Sequence, residues 1–215
     1  MTLSGTEGAI EALRDIPVPA TASTGLSPSV HRGVAVIAHP HPLFGGTMDN
    51  KVVQTLARAF VQCGFTAVRF NFRGVGASAG GYDEGRGELQ DLLAVVEQVA
   101  PRGEGQRIAL AGFSFGAFVT SHALATLWPE GRIDQAVLVG TAASRFAVAP
   151  VPRDAHLRTL VVHGEQDETV PLSAVMDWAR PQILPVTVIP AGGHFFHGQL
   201  PLLKNLVTRH LQSGV

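Results

Sequence analysis

"ALAGFSFGAFV", residues 109–119, sets one serine between two glycines inside an otherwise apolar run. The run opens as a strand: "RIALAGF" (107–113) is short, apolar and bounded by polar residues. Beyond Ser114 the apolar residues continue at helical length, so a helix is expected over about 115–127. A strand that passes directly into a helix lifts the residue at the turn above the sheet edge and strains its backbone. Bulky neighbours two positions away would then collide. Gly112 and Gly116 remove those collisions. The turn also aims the helix N-terminus, with its free N–H groups and positive dipole end, at whatever is bonded to Ser114, and such a site favours a developing oxyanion.

Working outward, short β-branched runs alternate with segments of helical periodicity. The strands expected are "GVAVIAH" (33–39), "FTAVRFNF" (65–72), "QAVLVG" (135–140), "TLVVHG" (159–164) and "PVTVIP" (185–190). Between them Val52, Val53, Leu56 and Phe60 recur at helical spacing, as do Leu89, Leu92, Leu93, Val96 and Val99. These stripes read as helix-on-sheet core and carry no function. The pattern is that of an α/β fold with a mostly parallel central sheet and helices on both faces. Residues 8–18 fit an early strand, with an antiparallel direction open, and "PATASTGLSPSV" (19–30) reads as a turn-rich connection. The chain has 215 residues, 46% of them hydrophobic and 15% charged, with no internal repeat or interdomain linker, so one domain is expected over 1–215.

The charge pattern narrows the partners. A formal net charge of −1 and the lack of any Lys or Arg run give no footprint for nucleic acid or an anionic membrane. Cys63 is the single cysteine, so no intrachain disulfide can form. The opening "MTLSGTEGAIEALRDIPVP" lacks the basic and apolar segments of a signal peptide, and no run approaches the roughly 18 apolar residues of a membrane span. A cytoplasmic protein is expected, as monomer or homodimer.

A serine hydroxyl is a poor nucleophile until a base takes its proton, and the base needs a third group to fix its tautomer and support its charge. Both are expected at the C-terminal ends of strands. "TLVVHG" runs into "EQDETVP", leaving Asp167 just past a strand, and "PVTVIP" runs into "AGGHFFHG", leaving His194 in a loop after two glycines. Ser114, Asp167 and His194 follow in the chain order associated with a nucleophile elbow. Each has a blander reading. Asp167 could cap a helix starting near Pro171, with Glu165 and Glu168 as rival acids. His197 is the rival base, expected at the start of the last helix.

On "AHPHPLFGGTMDNKV" (38–52), "FNFRGVGASAGG" (70–81), "GFSFGA" (112–117), "GEQDETVP" (164–171) and "GGHFF" (192–196), the chain resembles the α/β-hydrolase superfamily. It is most similar to small lidless bacterial serine hydrolases related in fold to dienelactone hydrolases and small esterases. The resemblance runs from residue 33 onward. It implies the α/β-hydrolase fold, a Ser114–His194–Asp167 triad and an oxyanion hole that uses the Phe115 N–H. Dienelactone hydrolases carry a cysteine nucleophile where this chain has Ser114, so their substrate is not implied.

The resemblance also puts a second oxyanion donor in "HPHPLFGG", after the strand over 33–39. Pro40 and Pro42 have no N–H, which leaves His41, the favoured donor, or Leu43. His39 and His41 suggest a metal, but no third ligand is evident and none is expected. The glycine-rich loop at 70–81 suggests a pyrophosphate cradle, yet position 79 is Ala and no acid follows at the spacing a dinucleotide site needs. Arg73 there reads as an internal ion-pair partner. "TAASRFAVAPVPRDAHLR" (141–158) is too short for a helical cap. The expectation is a cofactor-independent serine hydrolase, a carboxylesterase for small, short-chain esters. A thioesterase or amidase/peptidase on the same machinery is the alternative, with a non-catalytic binding module behind it.

Overall fold

The structure, a computed structural model, describes residues 1–17, 32–103 and 105–213. The connection expected at 19–30 lies outside the described residues. Six strands run parallel: β3 (Gly33–Ala38), β4 (Phe65–Phe70), β5 (Ile108–Phe113), β6 (Ile133–Val139), β7 (Thr159–Gly164) and β8 (Thr187–Ile189). A hairpin of β1 (Thr2–Gly5) and β2 (Gly8–Asp15) extends the sheet, with β2 antiparallel to β4, giving the order β1-β2-β4-β3-β5-β6-β7-β8.

Every residue of β3, β4 and β5 is buried. That is why β3 and β5 read as unbroken apolar runs, both faces being covered, while β4 admits Arg69 because its guanidinium is paired with Asp15 at 2.9 Å. Successive side chains point to opposite faces. Val34, Val36, Ile108 and Leu110 meet α2 (Arg86–Val99) and α3 (Phe115–Leu127) on one side. Ala35, Ile37, Ala109 and Ala111 meet α1 (Lys51–Gln62) and α5 (Leu200–Ser213) on the other. Cα pairing of Ala38 with Gly112 and of Phe113 with Val139 sets the ends of β3, β5 and β6 side by side at one edge.

Some boundaries differ from the sequence reading. The expected early strand is β2, and β1 had no expectation attached, being only "TLSG" with Leu3 as its single buried residue. β8 shrinks to three residues between Pro185 and Pro190, because proline cannot donate to a ladder. The 70–81 loop is tied down by an ion pair, with Arg73 Nε and Nη2 donating to Asp91 at 3.0 and 2.8 Å. Residues 140–158, between β6 and β7, contain one 3-10 helix (Arg153–Arg158) and no packed cap. Among the described residues no helix is long and apolar enough to cross a membrane.

Candidate active site

Ser114 stands between β5 and α3 with φ 57° and ψ −116°. A non-glycine residue there costs about 1–3 kcal/mol, which the surroundings must offset. They do so by close backbone approach. A Cβ on Gly112 would strike the Gly116 carbonyl, and one on Gly116 would strike the carbonyls of Ala38 and His39. The Ser114 N–H is anchored to the Val139 carbonyl at 2.8 Å. No side chain caps α3. The N–H of Phe115, in its first turn, therefore has no intrahelical acceptor.

Asp167 lies beyond β7 and His194 beyond β8. Backbone hydrogen bonds join these loops: Glu165 N–H to Ile189 O at 3.0 Å and Gln166 N–H to Gly192 O at 2.8 Å. Glu165 Oε2 adds one by accepting from the Ala191 N–H at 2.9 Å. This lacing brings His194 Nδ1 to 2.7 Å from Asp167 Oδ2 and His194 Nε2 to 3.0 Å from Ser114 Oγ. An ionised carboxylate cannot donate, so Nδ1 carries the proton and Nε2 is left to accept from the serine hydroxyl. The imidazole is buried, 4.9 Å from the Phe113 ring and 5.1 Å from that of Phe195.

The other oxygen of Asp167 answers the capping question. Oδ1 accepts from the N–H groups of Thr169 (2.9 Å) and Val170 (2.7 Å), while α4 (Leu172–Ala179) starts later behind Pro171. Asp167 thus shapes its own loop and faces His194 at once. Burial pushes its carboxyl up, but hydrogen bonds from His194 and the Val170 N–H, with the facing imidazoles of His194 and His163, outweigh this and hold it below the usual range. Glu165 and Glu168 are exposed, and Glu165 Oε2 is taken by the Ala191 N–H. His197 is exposed too and sits before α5, not in it: Gly198 has φ 73° and Pro201 occupies the first turn, so the helix begins only at Leu200.

The loop after β3 is built around His39, which is fully buried. Its Nδ1 meets the Pro40 carbonyl at 2.6 Å and its Nε2 accepts from the Phe72 N–H at 3.0 Å. Both ring nitrogens are spent on backbone, so neither is available to a metal. Burial lowers its pKa to about 4, against the raising effect of the Pro40 bond. His41 follows, and its Nδ1 accepts from the Leu43 N–H at 3.2 Å. Of the two candidate donors, Leu43 has thus committed its N–H and is 66% exposed. The His41 N–H has no acceptor among the described residues. His41 lines a cleft of about 360 Å³ together with Ser114, Phe115 and His194. Phe44, Phe146 and Phe195 form apolar walls, and Arg145 stands at the rim.

Sequence reasoning missed two residues here. His163, on β7, is fully buried with Nε2 at 2.9 Å from the Val170 carbonyl and 3.4 Å from Asp167 Oδ2. A polar residue inside "TLVVHG" was its only signal. Arg145 sits in the 141–158 loop, where nothing in the sequence marks it as facing the cleft.

Residues 31–153 match the family model Hydrolase_4, described as serine aminopeptidase, S33. A serine hydrolase without lid from Xanthomonas campestris is 36% identical, with 99% of this chain and 92% of that one covered and a TM-score of 0.85. An alpha-beta serine hydrolase homologue from Coxiella burnetii is 38% identical over 98% of this chain and 96% of its own, with a TM-score of 0.78. An uncharacterized protein from Rickettsia prowazekii is 42% identical over 87 residues, 40% of this chain. The chain spans 37% of the length of that curated relative. The chain belongs to the matched family, within the α/β-hydrolase superfamily, and is a hydrolase.

Proposed function

We propose that the protein is a cofactor-independent carboxylesterase for small, short-chain esters, acting in the cytoplasm through a Ser114–His194–Asp167 triad. One observation carries this reading: His194 lies within hydrogen-bond reach of both Ser114 Oγ and Asp167 Oδ2, 3.0 and 2.7 Å away, on the floor of an open cleft. Ser114 Oγ attacks the ester carbonyl while His194 Nε2 takes its proton. The negative charge on the carbonyl oxygen is met by the N–H groups of Phe115 and His41. Collapse of the tetrahedral species breaks the bond to the alcohol, which leaves with the proton from His194. Water then attacks the acyl-enzyme by the reverse route, and Asp167 keeps His194 oriented and supports its charge throughout.

The uncapped segment at 140–158 and the modest cleft support small substrates without interfacial activation. A rate that rises smoothly through the critical micelle concentration of a longer ester agrees with this, and a jump there opposes it.

The family's description favours a second reading, cleavage of an amide next to a free amino terminus. An aminopeptidase must hold an ammonium group, for which carboxylates are the natural partners. Among the described residues no Asp or Glu lines this cleft, and Arg145 would repel the amine. The deciding assay compares p-nitrophenyl butyrate with an aminoacyl p-nitroanilide. The ester is expected to be cleaved by the wild type and not by folded Ser114→Ala. Preferred cleavage of the anilide, or an ester activity that survives in Ser114→Ala, overturns the esterase reading.

A further inference from the structure

Among the residues lining the cleft, Arg145 is the one with a permanent charge. Three other exposed arginines are paired, Arg86 with Asp83, Arg102 with Glu130 and Arg180 with Asp177, at 2.7 to 2.9 Å, whereas Arg14, Arg58, Arg153 and Arg209 share with Arg145 the lack of a carboxylate partner among the described residues but do not line the cleft. Arg145 has no carboxylate within 4 Å among the described residues, and its side chain makes no hydrogen bond there. Its position is fixed from both sides. The Arg145 N–H bonds the Ala142 carbonyl at 3.2 Å. The next residue, Phe146, stacks on Phe118 at 4.7 Å and meets Phe115 edge-on at 5.2 Å.

The charge is felt inside the cleft. Burial lowers the pKa of His41, and the Arg145 charge lowers it further. His41 is therefore biased to the neutral form, and the Arg145 guanidinium is the charged side chain that the described cleft lining presents. An unpaired guanidinium beside apolar walls is matched by a ligand with an apolar body and an anionic end, and a carboxylate fits its fork.

We propose that Arg145 is a specificity-determining residue that selects esters bearing a carboxylate a few bonds from the scissile carbonyl. This rests on the esterase reading above and names the substrate class of that same site. The carboxylate would reach the cleft on either half of the ester, and the two halves call for separate probes.

The test measures kcat/KM ratios. For the acyl half, p-nitrophenyl hydrogen adipate is compared with p-nitrophenyl hexanoate. For the alcohol half, 4-carboxyphenyl butyrate is compared with phenyl butyrate. On at least one half the wild type should favour the anionic ester at low salt. Arg145→Gln should reduce that ratio about three- to tenfold, mainly through KM, as befits an exposed charge pair. Arg145→Lys should restore most of it, Arg145→Glu should push it below the Gln value, and 0.5 M salt should narrow it in the wild type. Changes common to both esters cancel in the ratio, so a general packing defect does not imitate the effect. Hydrolysis of all four esters with ratios that ignore residue 145 overturns the Arg145 assignment and leaves the esterase reading standing. Failure of the wild type to hydrolyse any of them removes both.

Discussion

Two pairs of histidines stand at the C-terminal edge of the sheet, and in each pair one ring is fully buried while the other meets the cleft. At the end of β3 these are His39 and His41; at β7 and β8 they are His163 and His194. The buried members differ. His39 spends both nitrogens on backbone, at Pro40 and Phe72, and serves purely to hold the loop that carries the His41 N–H. His163 spends Nε2 on the Val170 carbonyl with Asp167 Oδ2 3.4 Å away, and its Nδ1 has no partner among the described residues. The cleft members differ in parallel: the His41 region offers a backbone N–H, the His194 region an imidazole. A histidine tied to backbone fixes geometry, whereas one beside a carboxylate enters the electrostatics of the site.

Substitutions at four positions sharpen that contrast. The largest effect is expected at His194, where His194→Ala should lower kcat on p-nitrophenyl butyrate by about 10⁴ or more in folded protein. A loss under tenfold would dissolve the contrast, since the imidazole would then be dispensable. His41→Pro, which deletes the donor, should cost about 10² to 10³, while His41→Ala keeps most of the activity because the N–H survives. Both variants must first match the wild type in circular dichroism and Tm. If the alanine variant is as inactive as the proline one, the His41 ring itself acts and the distinction between backbone and side chain fails.

His39 should report in stability. Its folded pKa, about 4, lies below the ordinary value of 6.5. The unfolded chain therefore binds its proton first, and the contribution of neutral His39 is complete above pH 6.5 and is lost as pH falls toward 4. Urea unfolding of the wild type and His39→Asn at pH 7.5 and 4.5 should show their gap shrinking by about 2 kcal/mol at the lower pH. A constant gap would mean that His39 is not held neutral by burial. The smallest effect belongs to His163→Leu. Removing an N–H that faces Asp167 Oδ2 makes the carboxylate more basic and strengthens its pull on the proton of His194. The acid limb of kcat/KM should shift to higher pH by under one unit. An unmoved limb with a lowered Tm would place His163 with His39 as scaffold only.

Much of this was legible in the sequence, for physical reasons. β3 and β5, buried on both faces, are apolar throughout and so announce themselves. The elbow demands glycine at 112 and 116 because backbone atoms occupy the space a Cβ would need. Other features depend on tertiary contacts that no local pattern encodes. β1 rests on its pairing with β2, where Leu3 lies opposite Ile10, and on the bonds between Ser4 and Gln98 of α2. The start of α5 depends on the turn at Gly198, which moved His197 off the helix. His39 and His163 each look like a stray polar residue at a strand end, and only the packed structure reveals that one meets backbone alone and the other a carboxylate. Arg145 gave no signal because its proximity to the cleft follows from the path of the 141–158 loop.

The central claim is that Ser114 is a nucleophile made reactive by His194 and Asp167, and covalent trapping tests it most directly. Wild-type protein treated with a fluorophosphonate, digested and analysed by mass spectrometry should carry one phosphonyl group on the peptide containing Ser114. Labelling should be absent in Ser114→Ala and slowed by orders of magnitude in His194→Ala and Asp167→Ala, each shown to be folded. An unlabelled Ser114 in active wild-type protein, or labelling at the wild-type rate without His194, would contradict it.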